Sequence, residues 1–184
     1  MTVRALIMSF LFLCAQACTT TNLERLAEAA PGPYTLDSGD QLRVTVYRLD
    51  ELTGDYIVSD TGSISLPLLD PIQARGKTVE QLENDIEGRI SEKSLIREAS
   101  VSAQIQKYRP FFIVGEVNRP GEYSYQPNMS VLTALSMAGG QTFRANTDRI
   151  SITRTVDGQI TTGLVSPGSR VLPGDTIRVY EGWF

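Results

Sequence analysis

Between Arg109 and Gly140 the chain spells out a complete supersecondary unit without a gap, and any fold for it must be built around that unit. Phe111 to Val114 form a continuous apolar run bounded by Pro110 and Gly115, the pattern of a strand buried on both faces. Asn118-Arg119-Pro120-Gly121 is a turn, because proline presets φ at one turn position and glycine supplies positive φ at the next. Tyr123 and Tyr125 alternate with polar neighbours as a returning strand does. Ser130 is the expected N-cap of a helix over 131–138, with Val131, Leu132, Leu135 and Ala138 on its apolar face and Gly139 at the left-handed C-cap. The unit is strand, turn, strand, capped helix.

The chain before this unit reads as a separate module. After the turn Leu36–Asp40, Leu42, Val44 and Val46 alternate with polar residues as in a half-buried strand. A hairpin is expected from Tyr56–Val58 and Ser63–Leu66 around Asp60-Thr61-Gly62. Thr78 and Gln81 form a capping box that opens a helix with Val79, Leu82, Ile86 and Ile90 on one face. Val101, Ala103 and Ile105 alternate again and lead into Arg109. Beyond Gly140, Ile150 and Ile152 begin a strand, Asp157-Gly158 makes a hairpin turn, Leu164 sits in the return, and Thr176–Tyr180 is the last strand. GDTIRV at 174–179 echoes GDQLRV at 39–44, and a Gly-Asp turn feeding a strand accounts for both.

The N-terminus carries an address. Arg4 followed by the apolar run Ala5–Ala15 has the charged start and short apolar centre of a secretory signal, and it is too short to span a bilayer. Ala15-Gln16-Ala17 fits the small-x-small rule of ordinary signal cleavage, giving a simply secreted protein as one reading. Ala17 also stands directly before Cys18, and a signal ending small-residue-Cys resembles that of a bacterial lipoprotein, in which the cysteine becomes the acylated first residue. By that resemblance Thr19 directs the protein to the outer membrane, and residues 18–33 are a lipid-anchored tether able to extend to about 50 Å.

Composition narrows function. There is no histidine, and the two cysteines are Cys14 and Cys18, which removes Ser-His and Cys-His nucleophiles and Cys/His zinc sites from the body of the chain. The net charge of −4 argues against a nucleic-acid binder. The charge is uneven: residues 33–103 carry 7 Lys/Arg against 13 Asp/Glu, and residues 104–154 carry 6 against 3. A glycan hydrolase needs paired carboxylates. Asp55, Asp60, Asp70 and Glu116 are available, yet nothing in the sequence pairs them.

Taken together, YTLDSGDQLRVTVY (34–47), VSDTGSISLP (58–67), TVEQLENDI (78–86), RPFFIVGEVNRPGEY (109–123), SVLTALSMAGG (130–140) and PGDTIRV (173–179) resemble the bacterial polysaccharide export family of outer-membrane lipoproteins. The resemblance implies an α+β chain: a signal peptide over 1–17, the tether, a polysaccharide-export domain over 34–107, and a soluble-ligand-binding β-grasp (SLBB-like) domain over 108–184. It implies a non-enzymatic component of capsular or extracellular polysaccharide export, without cofactor, metal or catalytic residue. Such a protein is held on the periplasmic face of the outer membrane and forms a ring that contacts an inner-membrane copolymerase or chain-length regulator. Longer members continue into a pore-lining helix, whereas this sequence runs only to Trp183-Phe184 after its last strand, so a separate outer-membrane conduit is the expected partner. A lipid-anchored adaptor for a protein or small ligand is the other non-enzymatic reading. Arg109, Arg119, Arg144 and Arg149, with Tyr123 and Tyr125, are the candidates for polymer or subunit contact. Aromatic rings stack on sugar faces and arginine binds carboxylate or phosphate with two hydrogen bonds. Packed tyrosines and ordinary surface ion pairs are the competing account of each.

Overall fold

The computed structural model describes residues 23–28, 32–96, 98–156 and 158–182. The signal, Cys18, Asp157, Trp183 and Phe184 lie outside the described residues. The architecture is α+β, with two separate hydrophobic cores.

The first core is built on a three-stranded antiparallel sheet of order β2-β1-β5, from β1 (Gln41–Val46), β2 (Gly54–Ile57) and β5 (Val101–Lys107). The alternation in β1 buries Leu42, Val44 and Val46, as expected. Helix α1 (Val79–Glu92) closes this face with Leu82, Ile86 and Ile90, each fully buried. Burying a side chain of that size stabilises by about 1.5–3 kcal/mol. The capping box is complete: Thr78 Oγ1 accepts the Gln81 N–H and Gln81 Oε1 accepts the Thr78 N–H. The expected hairpin of 56–66 is corrected. Its turn exists, with Gly62 N–H donating to Ser59 O at 3.0 Å, but its two arms go to different partners. β2 pairs with β1, and β3 (Ser63–Ile64) pairs with β4 (Ile72–Gln73) in a small ribbon.

Helix α1 also closes an edge. The outer N–H groups of Val101 and Ala103 in β5 donate to Glu87 Oε1 at 2.9 Å and Glu83 Oε1 at 2.7 Å. Glutamates four apart on a helix face one way, so two carboxylates stand where another strand would pair.

The second core lies between helix α2 (Val131–Met137) and a five-stranded sheet of order β7-β6-β10-β8-β9, where β6 is Phe111–Gly115, β7 Gly121–Tyr123, β8 Ala145–Val156, β9 Gln159–Val165 and β10 Thr176–Glu181. β10, last in sequence, is central: parallel to β6 and antiparallel to β8. Two expectations are corrected here. β6 is buried on one face only, with Phe111 and Ile113 inside and Phe112 40% exposed, because α2 covers a single side of the sheet. Leu132 is 59% exposed for the same reason: Val131, Ala134, Leu135 and Ala138 are the residues the helix spacing turns inward. Ser130 caps α2, its Oγ accepting the Thr133 N–H, and Gly139 takes the left-handed position at φ +77°.

The stretch expected to be a free spacer is seated on this sheet over Glu24–Leu26. Leu164 N–H donates to Glu24 O at 2.8 Å and Leu26 N–H donates to Leu164 O at 2.9 Å, a parallel bridge that covers the edge of β9. Leu26 packs on the second core, and Gly163 admits it: a Cβ there would stand 2.6 Å from Leu26 N.

Candidate functional site

The two cores meet at Arg109. Its backbone N–H donates to Asp40 Oδ1 at 3.0 Å, its Nε donates to Pro173 O at 3.1 Å, and its guanidinium pairs with Asp37. The repeated GD motif makes the socket. Gly39 at φ +94° and Gly174 at φ +84° flank the Arg109 side chain, and the aspartate after each is fully buried. Each aspartate accepts the N–H three residues before it: Asp37 N–H to Asp40 at 2.9 Å, and Leu172 N–H to Asp175 at 2.7 Å. Asp40 Oδ2 also accepts the Tyr34 hydroxyl at 2.6 Å, while Asp175 takes a two-pronged ion pair from Arg154, Nε to Oδ1 at 2.8 Å and a terminal nitrogen to Oδ2 at 2.7 Å. The echo is therefore a structural device, a buried carboxylate that locks the turn before a strand.

Tyr34, Tyr108 and Tyr125 stack edge to face across the junction, with centroids 5.0 and 5.3 Å apart. Burial first, and then the Asp40 carboxylate on its hydroxyl, push the Tyr34 pKa up. Burial acts to raise the Asp37 carboxyl, but the Ser38 N–H and the Arg109 and Arg75 guanidiniums together hold it below its ordinary range.

Of the six candidate contact residues, five have internal tasks. Arg109 ties the junction. Arg119 donates to Met137 O at the end of α2. The Tyr123 hydroxyl donates to Arg119 O while its ring stacks on Phe111 at 5.9 Å. Tyr125 packs on Tyr108, and Arg144 pairs with Glu181. Arg149 differs: exposed, it lies over the Tyr180 ring at 4.7 Å and has no ion pair with another described residue.

Arg149 belongs to the sheet face that α2 leaves open. Cross-strand register puts Phe112 beside Thr176, Thr176 beside Thr153, and Thr153 beside Thr162, whose hydroxyls bond at 2.9 Å. In the next row Arg178 stands between Val114 and Ser151, and Ser151 Oγ donates to Tyr180 Oη at 3.3 Å. Arg178 is exposed and unpaired among the described residues. The face offers two free guanidiniums, a row of hydroxyls and two aromatic rings. Arg178 was a missed candidate; its place on the face of β10 opposite the buried Ile177 and Val179 exposes it, whereas its sequence context marked only a charge within a strand.

The first module has an open groove of about 780 Å³ lined by Tyr47, Arg48, Ile96, Glu98, Ala99 and Ser100. Arg48, at φ +64°, lies over the Tyr47 ring at 5.0 Å. The carboxylates weighed for hydrolysis are dispersed: Asp55 binds Arg43, Asp70 binds Lys93, Glu116 accepts the Thr142 hydroxyl, and Asp60 closes its own turn on the Thr61 N–H. No group of three or more metal-ligating side chains occurs among the described residues.

Residues 28–106 match the family model of the polysaccharide biosynthesis/export protein, and residues 110–162 match the SLBB domain, so the gap between them brackets Tyr108 and Arg109. The chain is similar to the exopolysaccharide production protein ExoF of Rhizobium meliloti (strain 1021), 35% identical, with 70% of this chain and 32% of that protein aligned. It is also similar to the EPS I polysaccharide export outer membrane protein EpsA of Ralstonia nicotianae, 28% identical, over 70% of this chain and 40% of that protein. The chain thus spans about a third to two fifths of the length of these relatives.

Proposed function

Since the chain belongs to the polysaccharide biosynthesis/export protein family, we propose that it is a non-enzymatic component of an extracellular or capsular polysaccharide export machine. The observation that carries this reading is the pair of family matches, in order, one on each hydrophobic core. In this reading Cys18 is acylated after removal of residues 1–17, and the protein sits on the periplasmic face of the outer membrane. Copies assemble into a ring or collar that meets an inner-membrane copolymerase and an outer-membrane conduit.

The polymer runs past the open face of the second sheet. Arg149 and Arg178 are free to bind acidic or phosphorylated sugar substituents there, and Phe112 and Tyr180 give apolar surface beside them. The acidic balance of the first module, 7 Lys/Arg against 13 Asp/Glu over residues 33–103, against the basic balance of residues 104–154, 6 against 3, supports head-to-tail contact between unlike surfaces of neighbouring copies.

The test is export itself. A strain lacking this gene is expected to stop displaying surface polymer, and wild-type protein on a plasmid to restore it. An Arg149→Ala, Arg178→Ala double variant that accumulates normally is expected to restore display only in part. Undiminished polymer in the deletion strain, with no second copy of the gene present, would refute the export role.

A further inference from the structure

We infer that the tip of the β8–β9 hairpin, with Val156 and Ile160, rests on the lipid surface that holds the N-terminal anchor. This inference rests on the acylation of Cys18 proposed above.

The geometry comes from the direction of one short ladder. Arg25 bridges Leu164 in parallel, so the chain from Leu23 to Leu26 runs the same way as β9, away from the hairpin tip. At Leu23 the described chain therefore enters the bridge from the side of the tip. Continuing the register places Leu23 near Thr162, and from Thr162 to the turn at Gly158 the strand covers ~13 Å at the usual rise per residue. Five residue steps separate Leu23 from Cys18, a covalent reach of at most ~18 Å. An acyl chain on Cys18 thus holds the membrane within a distance of Leu23 that the hairpin tip itself nearly spans.

The tip is made for such contact. Ile160 is 74% exposed and Val156 54% exposed, the two on opposite faces of the hairpin. No lysine or arginine lies between Thr155 and Gly163, and the sequence places one acidic residue, Asp157, in the turn. That chemistry suits a zwitterionic lipid surface. The opposite end of the module is remote: Phe143, 89% exposed, stands just before β8, and the eleven residue steps of β8 extend ~36 Å. A membrane met end-on by the tip leaves Phe143 ~36 Å away from it.

The acylated protein is placed in phosphatidylethanolamine/phosphatidylcholine vesicles that carry a nitroxide-labelled lipid, with an environment-sensitive fluorophore attached at Ile160→Cys or, separately, at Phe143→Cys. Fluorescence is expected to be lost at position 160 and retained at 143. Vesicle-bound protein quenched at 143 instead, or at neither position, overturns the inference while leaving the anchor intact. Protein that stays in solution overturns the anchor and this inference with it. Both substituted side chains are exposed, so loss of folding does not confound the comparison, and circular dichroism of each labelled protein verifies it.

Discussion

Asp40 Oδ1 accepts the backbone N–H of Arg109 at 3.0 Å, so a carboxylate rooted in the first core fixes the peptide that opens the second. The same carboxylate accepts the Tyr34 hydroxyl and the Asp37 N–H. Asp40→Ala strands all three donors, and each buried donor without an acceptor costs ~1–3 kcal/mol. Chemical denaturation is expected to show a loss of at least about 3 kcal/mol. A loss below ~1 kcal/mol would show that water replaces the carboxylate and that the junction is looser than its contacts imply.

Arg154 and Asp175 form the corresponding lock in the second core, with side chains 9% and 1% exposed. Asp175→Ala leaves a buried guanidinium without its partner and is expected to cost about 3–5 kcal/mol. The double change Arg154→Met, Asp175→Leu removes both charges and is expected to recover part of that loss. If the double variant is no more stable than Asp175→Ala, the turn hydrogen bond to Leu172 rather than the ion pair carries the effect.

The junction is acid-sensitive in a stated direction. Asp37 titrates below its ordinary 3.8 in the folded chain, so its contribution to stability is complete above that value and declines as pH falls toward the lower folded pKa. Asp37→Asn is therefore expected to flatten the stability curve below about pH 4 and to lower stability at neutral pH. Urea midpoints measured between pH 2 and pH 6 test both, and an unchanged acid limb in the variant argues against the assignment.

The carboxylates on the β5 edge make a prediction about assembly. Glu83→Ala with Glu87→Ala bares the Val101 and Ala103 N–H groups and opens a pairing edge. Concentration-dependent association in sedimentation velocity is expected where the wild-type first module shows none through this edge. A variant that is merely destabilised, with no new association, would mean that the strand is guarded by something besides these two side chains.

For the open sheet face, binding of soluble polyuronate to the purified protein is expected to weaken about tenfold on Arg178→Ala, in keeping with the ~1.5 kcal/mol lower bound for a hydrogen bond to a charged group. Arg119→Ala, whose guanidinium serves the end of α2, is expected to leave affinity unchanged. Equal effects of the two would take the polymer off this face.

Much of the fold was readable because its signals are local. The capping box at Thr78 and Gln81, the cap at Ser130 and the alternation of β1 depend on neighbours within a few residues, and all are present. What failed depends on distant partners. Tyr56 and Ser63 flank a good turn, yet β1 and β4 compete for their backbones and win. Phe112 belongs to a run apolar enough for two buried faces, and only the placement of one helix decides that it has one. At the site, Arg149 was legible as a charge. That Arg109 and Arg144 are consumed by Asp37 and Glu181 lies in contacts that residue type does not encode.

The place of β10 sets an order of events. A polypeptide is made from its N-terminus, so the first core has all its strands once Lys107 has emerged, while the second waits for Thr176–Glu181 to slide between β6 and β8. Until then β6 and β8 present bare facing edges, and a passing peptide of another molecule can occupy the slot meant for the chain's own keystone. The newborn second module is thus most vulnerable in the interval before its final strand is delivered. Limited proteolysis of chains stalled before Thr176 is expected to spare the first core and digest the second; equal protection of both would mean that the sheet forms without its centre.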